Sequence, residues 1–223
     1  MEIKRTELVF ILDRSGSMAG LESDTIGGFN SLLHKQKAEP GEATITTVLF
    51  DTEYELLHDR IDIKGIDSIT STDYYVRGCT ALLDAIGKTV NKIDNVQKHT
   101  GNETKAEKVL FVIITDGLEN ASREYSAEQV RQLVERQQKE LKWEFLFLGA
   151  NIDAIATARK FGINADRAVD FHADDQGTQL NYETVCDVVT QLRGRGDIDP
   201  YWKDRIEADY KRRTKKQPIQ KKI

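Results

Sequence analysis

Three oxygen-bearing side chains alternate along Asp13-Arg14-Ser15-Gly16-Ser17, and Gly16 permits a tight turn between the two serines. A hydroxyl follows far downstream in Gly78-Cys79-Thr80-Ala81-Leu82, and a second carboxylate in Ile114-Thr115-Asp116-Gly117. Hard oxygen donors with no His or Cys among them suit Mg²⁺ or Mn²⁺ better than zinc. Each residue also has a plainer job open to it. Ser15 or Ser17 can cap the first helix, Thr80 the second, and Asp116 can close a turn. What favours metal chemistry is that all of them fall in loops of one type, each just after a strand or at the entry to a helix.

The elements that must position these loops follow from the apolar patterning. Glu7–Leu12 is an unbroken apolar run after its first residue, as expected of a central strand buried on both faces. Leu21–Lys37 carries Ile26, Phe29, Leu32 and Leu33 at helical spacing and stops before Pro40-Gly41. Ala43–Phe50 is rich in β-branched residues and reads as the second strand. The link Asp51-Thr52-Glu53 is too short for a parallel crossover, so Tyr54–Ile61 is expected to run antiparallel at the sheet edge. A polar loop over 64–79 leads to a helix over Ala81–Ile93, and Lys92–Lys105 is expected to loop out. Lys108–Thr115, Glu144–Leu148 and Ala168–Phe171 read as further strands. Ser126–Leu141, opened by a Ser126/Gln129 capping box, Ile152–Phe161 and Asn181–Leu192 read as helices. The sum is an α/β fold: a doubly wound, mostly parallel six-stranded sheet with one antiparallel edge strand and helices on both faces. In such a sheet ligands sit beyond the carboxyl ends of the strands, where the strand order reverses. That is where the three polar loops lie.

Length and composition narrow the classes. The 223 residues allow one domain with a short appendage, here placed at 1–193 with a basic tail over 194–223 and a possible helix at Tyr201–Lys211. Charged residues make up 31% of the chain, and apolar runs such as Val109–Ile114 are far shorter than the roughly 18–20 residues a bilayer span requires, which excludes a membrane class. Two cysteines cannot form a disulfide framework, and the first seven residues carry charge of both signs, unlike a signal segment; the expected location is cytoplasmic. Residues 211–222 hold seven Lys/Arg and no acid, so the rest of the chain is more acidic than its net charge of −5 implies. An acidic body speaks against broad nucleic-acid binding; only the tail offers a basic surface, and a solvated, frayed end is its expected state.

Asp13-Arg14-Ser15-Gly16-Ser17-Met18, with Gly78-Cys79-Thr80-Ala81-Leu82 and Ile114-Thr115-Asp116-Gly117, resembles the metal-ion-dependent adhesion site of von Willebrand factor type A domains. The resemblance spans roughly residues 5–193 and fills all five positions of the motif. It implies a Rossmann-like sheet with its single antiparallel strand at the edge. It also implies that Ser15 and Ser17 touch the metal directly, that Thr80 does so in the ligand-bound form, and that Asp13 and Asp116 act through water. With neutral hydroxyls as ligands the cation stays electrophilic, and a partner's Asp or Glu can complete its shell; such a site docks a protein and is not a catalyst. The chain is most similar to stand-alone bacterial and phage members, some tied to tellurite-resistance or stress operons. In several of those systems the domain partners an ATPase, kinase or phosphatase.

The enzyme alternative is a Mg²⁺-dependent phosphohydrolase of the haloacid dehalogenase type with Asp13 as nucleophile. It requires a second Asp where Ser15 stands, and Asp174-Asp175, the one late acidic pair, reads as a solvated loop. Gly16 and Gly20 do not reproduce a dinucleotide fingerprint, and in Gly16-Ser17-Met18-Ala19-Gly20 the serine is one place early for a nucleophile elbow. Around the metal loops, Arg14 is a candidate to project towards a partner carboxylate, Cys79 is expected to be buried, and Asp84 to steady the loop through an outer hydrogen bond. Glu119 and Asn120 either line the rim or close a turn. In the tail, Tyr201 and Trp202 are expected to pack on the body.

Overall fold

The computed structural model describes residues 5–215. Six strands, β1 (Arg5–Asp13), β2 (Glu42–Phe50), β3 (Tyr54–Asp62), β4 (Lys108–Thr115), β5 (Glu144–Ala150) and β6 (Ala168–Phe171), form one sheet in the order β3-β2-β1-β4-β5-β6. Only β3 is antiparallel to its neighbour, as the three-residue link from β2 requires. The chain order runs outward from β1 in one direction through β2 and β3, and in the other through β4, β5 and β6. The strand order therefore reverses between β1 and β4, and the crevice at their carboxyl ends is the expected ligand position.

Six helices cover the sheet: α1 (Glu22–Ala38), α2 (Leu82–His99), α3 (Ala127–Leu141), α4 (Ala154–Lys160), α5 (Asp175–Arg195) and α6 (Asp204–Thr214). Alternation along β1 sends Leu8, Phe10 and Leu12 into a core shared with α1, α5 and α6, while Val9 and Ile11 enter a second core under α2, α3 and α4. Both faces of β1 are thus dry, which is why its sequence is continuously apolar. Phe10 meets Phe29 of α1 edge-on at 5.3 Å, an arrangement suited to the ring quadrupoles.

Several boundaries differ from the sequence reading, each for a local reason. The α2 helix runs on to His99 and does not loop out after Lys92, because the polar residues of its last turns have partners: Asp94 takes Lys98 at 2.7 Å and Arg136 of α3 at 3.0 Å, and Gln97 reaches the buried Glu7 carboxylate. The α5 helix starts six residues before Asn181, at Asp175, with Asp174 as its N-cap accepting from the Gly177 N–H. Those two acids are therefore a helix start, not a solvated loop, and Asp174 also pairs with Arg213. The expected capping box at the start of α3 is present in full.

The start of the basic run is also ordered. The α6 helix packs on α5 and β6, burying Ile206 and Trp202 in the core of α1 and α5, and the Trp202 indole donates to the Asp166 carbonyl at 2.8 Å. Tyr201, in contrast, is 72% exposed and does not pack on the body. Residues 216–223, the remainder of the basic run, lie outside the described residues. Among the described residues no helix is long and apolar enough to cross a membrane.

Candidate metal centre

The β1 strand delivers Asp13 as its last residue, and the chain then turns through a short 3-10 segment at Gly16–Met18. Asp13 is fully buried and both its oxygens are engaged. Oδ1 accepts the Ser15 N–H at 2.7 Å, which folds the serine loop back over the strand end, and Oδ2 accepts the Thr115 hydroxyl of β4 at 2.6 Å. Ser15 Oγ then lies 3.0 Å from Ser17 Oγ and 3.0 Å from Thr80 Oγ1. Three hydroxyls from two loops 65 residues apart thus share one point.

None of the plainer jobs open to these residues is taken. Ser15 flanks the 3-10 turn with no side-chain cap, α1 is preceded by Leu21, and α2 starts after Ala81 with no side-chain cap from Thr80. Asp116, at the end of β4, is buried with Oδ1 lacking any hydrogen-bond partner. A buried carboxylate oxygen left unpaired is costly, and a cation is one of the groups that would satisfy it. Gly117 closes the arrangement: a Cβ there would stand 2.9 Å from both Ser17 Oγ and Thr80 Oγ1. The structure thus brings Asp13, Ser15, Ser17, Thr80 and Asp116 to one rim at the reversal between β1 and β4.

Burial sets the electrostatics of the two carboxylates. Burial pushes the Asp13 carboxyl up to about 6, against the lowering effect of the Thr115 and Ser15 hydrogen bonds. Burial also raises the Asp116 carboxyl, with Ser17 hydrogen bonding acting in the opposite direction. Among the described residues no group of three or more His, Cys, Asp and Glu side chains is placed to hold an ion. Here hydroxyls outnumber carboxylates, so the donor set is the hard, oxygen-only kind suited to Mg²⁺ or Mn²⁺.

Neighbouring loops are locked from behind. Glu119 does not line the rim: its carboxylate accepts the N–H groups of Leu83, Ala121 and Ser122, fastening the loop after β4 to the start of α2. Asn120 Oδ1 accepts the Thr80 N–H at 2.9 Å, and its own N–H returns to the Thr80 carbonyl. Asp84 steadies the same loop, as expected, by accepting three successive N–H groups from Arg123 to Tyr125. Two expectations fail here. Arg14 is fully buried and turned inward onto Asp51 at 2.8 Å, out of reach of a partner's carboxylate; Cys79 is exposed. An arginine in a surface motif gave no sign of its buried partner, which lies 37 residues on.

The chain matches no protein-family model and no curated protein sequence. Solved structures do resemble it. A von Willebrand factor type A protein from Catenulispora acidiphila is 12% identical with a TM-score of 0.55, over 84% of this chain and 43% of its own. Proximal thread matrix protein 1 from the mussel byssus, solved with a zinc-occupied MIDAS motif, is 13% identical with a TM-score of 0.57, over 84% and 46%. The manganese-loaded TRAP protein of Plasmodium vivax is 18% identical with a TM-score of 0.53, over 81% and 72%. The fold is that of von Willebrand factor type A domains. The chain spans less than half the length of the mussel protein.

In that fold the late acidic pair cannot serve Asp13. Asp174 and Asp175 follow β6, the far edge strand, three positions across the sheet from β1 and thus on the order of 14 Å away.

Proposed function

We propose that this chain is a metal-dependent protein-docking module. Ser15, Ser17 and Thr80 would hold a Mg²⁺ or Mn²⁺ ion through their hydroxyls, with Asp13 and Asp116 supplying negative charge behind them. Bound there, the cation supplies an electrophilic position that an Asp or Glu of a partner protein completes. The observation that carries this reading is the cluster of three hydroxyls, those of Ser17 and Thr80 each 3.0 Å from Ser15 Oγ and all free of capping duties, beside a buried carboxylate with an unpartnered oxygen.

The reading is non-catalytic. Each Asp13 oxygen accepts a hydrogen bond, from Thr115 and from the Ser15 N–H, and this bracing of the strand end supports a positioning role for the carboxylate. Two cysteines without a disulfide suit a cytoplasmic protein. The resemblance of the motifs to stand-alone bacterial and phage proteins supports a place in a stress or tellurite-resistance system, with an ATPase, kinase or phosphatase as the partner that offers the carboxylate.

Calorimetric titration of metal-stripped protein with Mg²⁺ and Mn²⁺ tests the site. Saturable binding that Asp13→Ala abolishes is the expected result, followed by partner capture that EDTA reverses. Partner capture that neither EDTA nor Thr80→Ala disturbs would overturn the reading. Turnover of generic phosphoesters, lost in Asp13→Asn, would replace it with the phosphohydrolase.

A further inference from the structure

Behind the rim lies a charged cluster that the metal site itself does not use. Arg14 sits between the two loop segments' anchors with no exposed surface, a placement a guanidinium tolerates only when paired. Its Nε donates to Asp51 Oδ2 at 2.8 Å, and Nη1 lies 2.7 Å from the Glu55 carboxylate. The same Asp51 Oδ2 accepts from Arg77 Nε, also at 2.8 Å, and Arg77 continues to Glu53 at 2.9 Å. Asp51 Oδ1 accepts the Glu53 N–H, which fixes the turn between β2 and β3.

The main chain repeats the pattern. Arg14 N–H donates to the Phe50 carbonyl, Arg77 N–H to the Arg14 carbonyl, Gly16 N–H to the Gly78 carbonyl and Ala81 N–H to the Asp51 carbonyl. Cys79 N–H donates to Thr52 Oγ1. Gly78 has φ +66°, and a Cβ there would stand 2.8 Å from Thr52 Oγ1 and 3.2 Å from Asp51 Oδ1, so the loop presses directly on the hairpin. Burial raises the Asp51 carboxyl, but the Arg77 hydrogen bond, the Glu53 N–H and Arg14 outweigh it and hold the group below its ordinary value, hence ionised.

We infer that Asp51 is a positioning residue that clasps the serine loop through Arg14 and the threonine loop through Arg77, setting the separation of Ser15 and Thr80 and with it the affinity for the cation. This rests on the docking reading above. Thr80 and Ser15 side chains meet through a single hydroxyl contact; their loops share two direct backbone hydrogen bonds and are both tied to the β2–β3 turn, by two ion pairs to one Asp51 oxygen and by a backbone hydrogen bond on each side. Fixing a metal's ligands from behind is worth roughly 10- to 100-fold in affinity in comparable outer hydrogen bonds.

The test uses Arg77→Gln, because Arg77 is 39% exposed at its side chain and its loss leaves Arg14 paired. Asp51→Asn serves as the second variant, and Arg77→Lys, which still reaches the Asp51 carboxylate, as the rescue. Mn²⁺ affinity by calorimetry and amide hydrogen exchange without metal are measured on all three and on the unaltered chain. Expected are faster exchange at Gly16, Arg77, Cys79 and Ala81 in Arg77→Gln, at least ~10-fold weaker Mn²⁺ binding with an unchanged melting temperature, and recovery in Arg77→Lys. Unchanged exchange at those amides overturns the clasp, whatever the metal does. Faster exchange with unaltered Mn²⁺ affinity overturns the claim that the clasp sets affinity. An unaltered chain that binds no Mn²⁺ refutes the docking reading and the affinity claim with it, while the exchange data alone then decide the clasp.

Discussion

Asp13 is the residue on which fold and site make opposite demands. Its carboxyl is lifted from 3.8 to about 6 by burial, so the metal-free fold prefers it protonated. A raised carboxyl value adds stability that is complete below its unfolded value and fades as pH climbs through the folded one. Compared with Asp13→Asn, metal-stripped protein should therefore lose on the order of 3 kcal/mol between about pH 4 and pH 6, read as the difference between their urea denaturation curves across that range. A cation needs the ionised form, so Mn²⁺ affinity should fall as pH drops below about 6, in the window where the metal-free fold gains stability. Gly117 offers a second check at this scale. Gly117→Ala places a methyl 2.9 Å from both Ser17 Oγ and Thr80 Oγ1, so Mn²⁺ binding should weaken by at least ~10-fold in calorimetry while far-UV circular dichroism stays native. The five oxygen-bearing residues were legible in the sequence because side-chain type and spacing along a loop are local properties. Arg14 was not: whether an arginine faces solvent or a buried aspartate depends on what the second strand's turn brings beside it.

At the level of elements, the loop from Asp116 to Tyr125 is held to α2 by the carboxylates of Asp84 and Glu119 and by the Tyr125 ring packed on Gly87. Asp84 accepts three consecutive N–H groups at 2.8–2.9 Å. Asp84→Asn turns one acceptor into a donor facing those groups, and chemical denaturation should show a loss of about 1–3 kcal/mol. Strands and the order of helices could be read ahead of the structure because continuous apolar runs and short links constrain them strongly. Ends of helices could not. The last turns of α2 look like loop because Asp94, Gln97 and Lys98 are polar, and only Arg136 of α3 and Glu7 of β1 make that polarity compatible with burial. The first turn of α5 is similar, since its cap, Asp174, pairs with Arg213 from the far end of the chain.

For the whole molecule, one core lies on each face of the sheet, and the segment after α5 belongs to one of them. Ile206 is 2% exposed among residues of α1, β6 and α5. Ile206→Ala should cost roughly 2–5 kcal/mol, seen as a lower melting temperature of the entire domain in a single transition. A frayed appendage would give no change. Composition hid this, because α6 is mostly charged and the two buried anchors, Ile206 within it and Trp202 just before it, are isolated among polar residues. The reversal of strand order has a consequence in time as well as in space. Asp13 and Asp116 become neighbours only when β1 and β4 have paired across a hundred residues of chain, an entropically slow closure. A cation cannot nucleate that pairing, because before it there is no site to occupy. Mg²⁺ or Mn²⁺ should thus leave the refolding rate as it is and act on the opposite limb, lengthening the lifetime of the folded protein by the factor with which it binds.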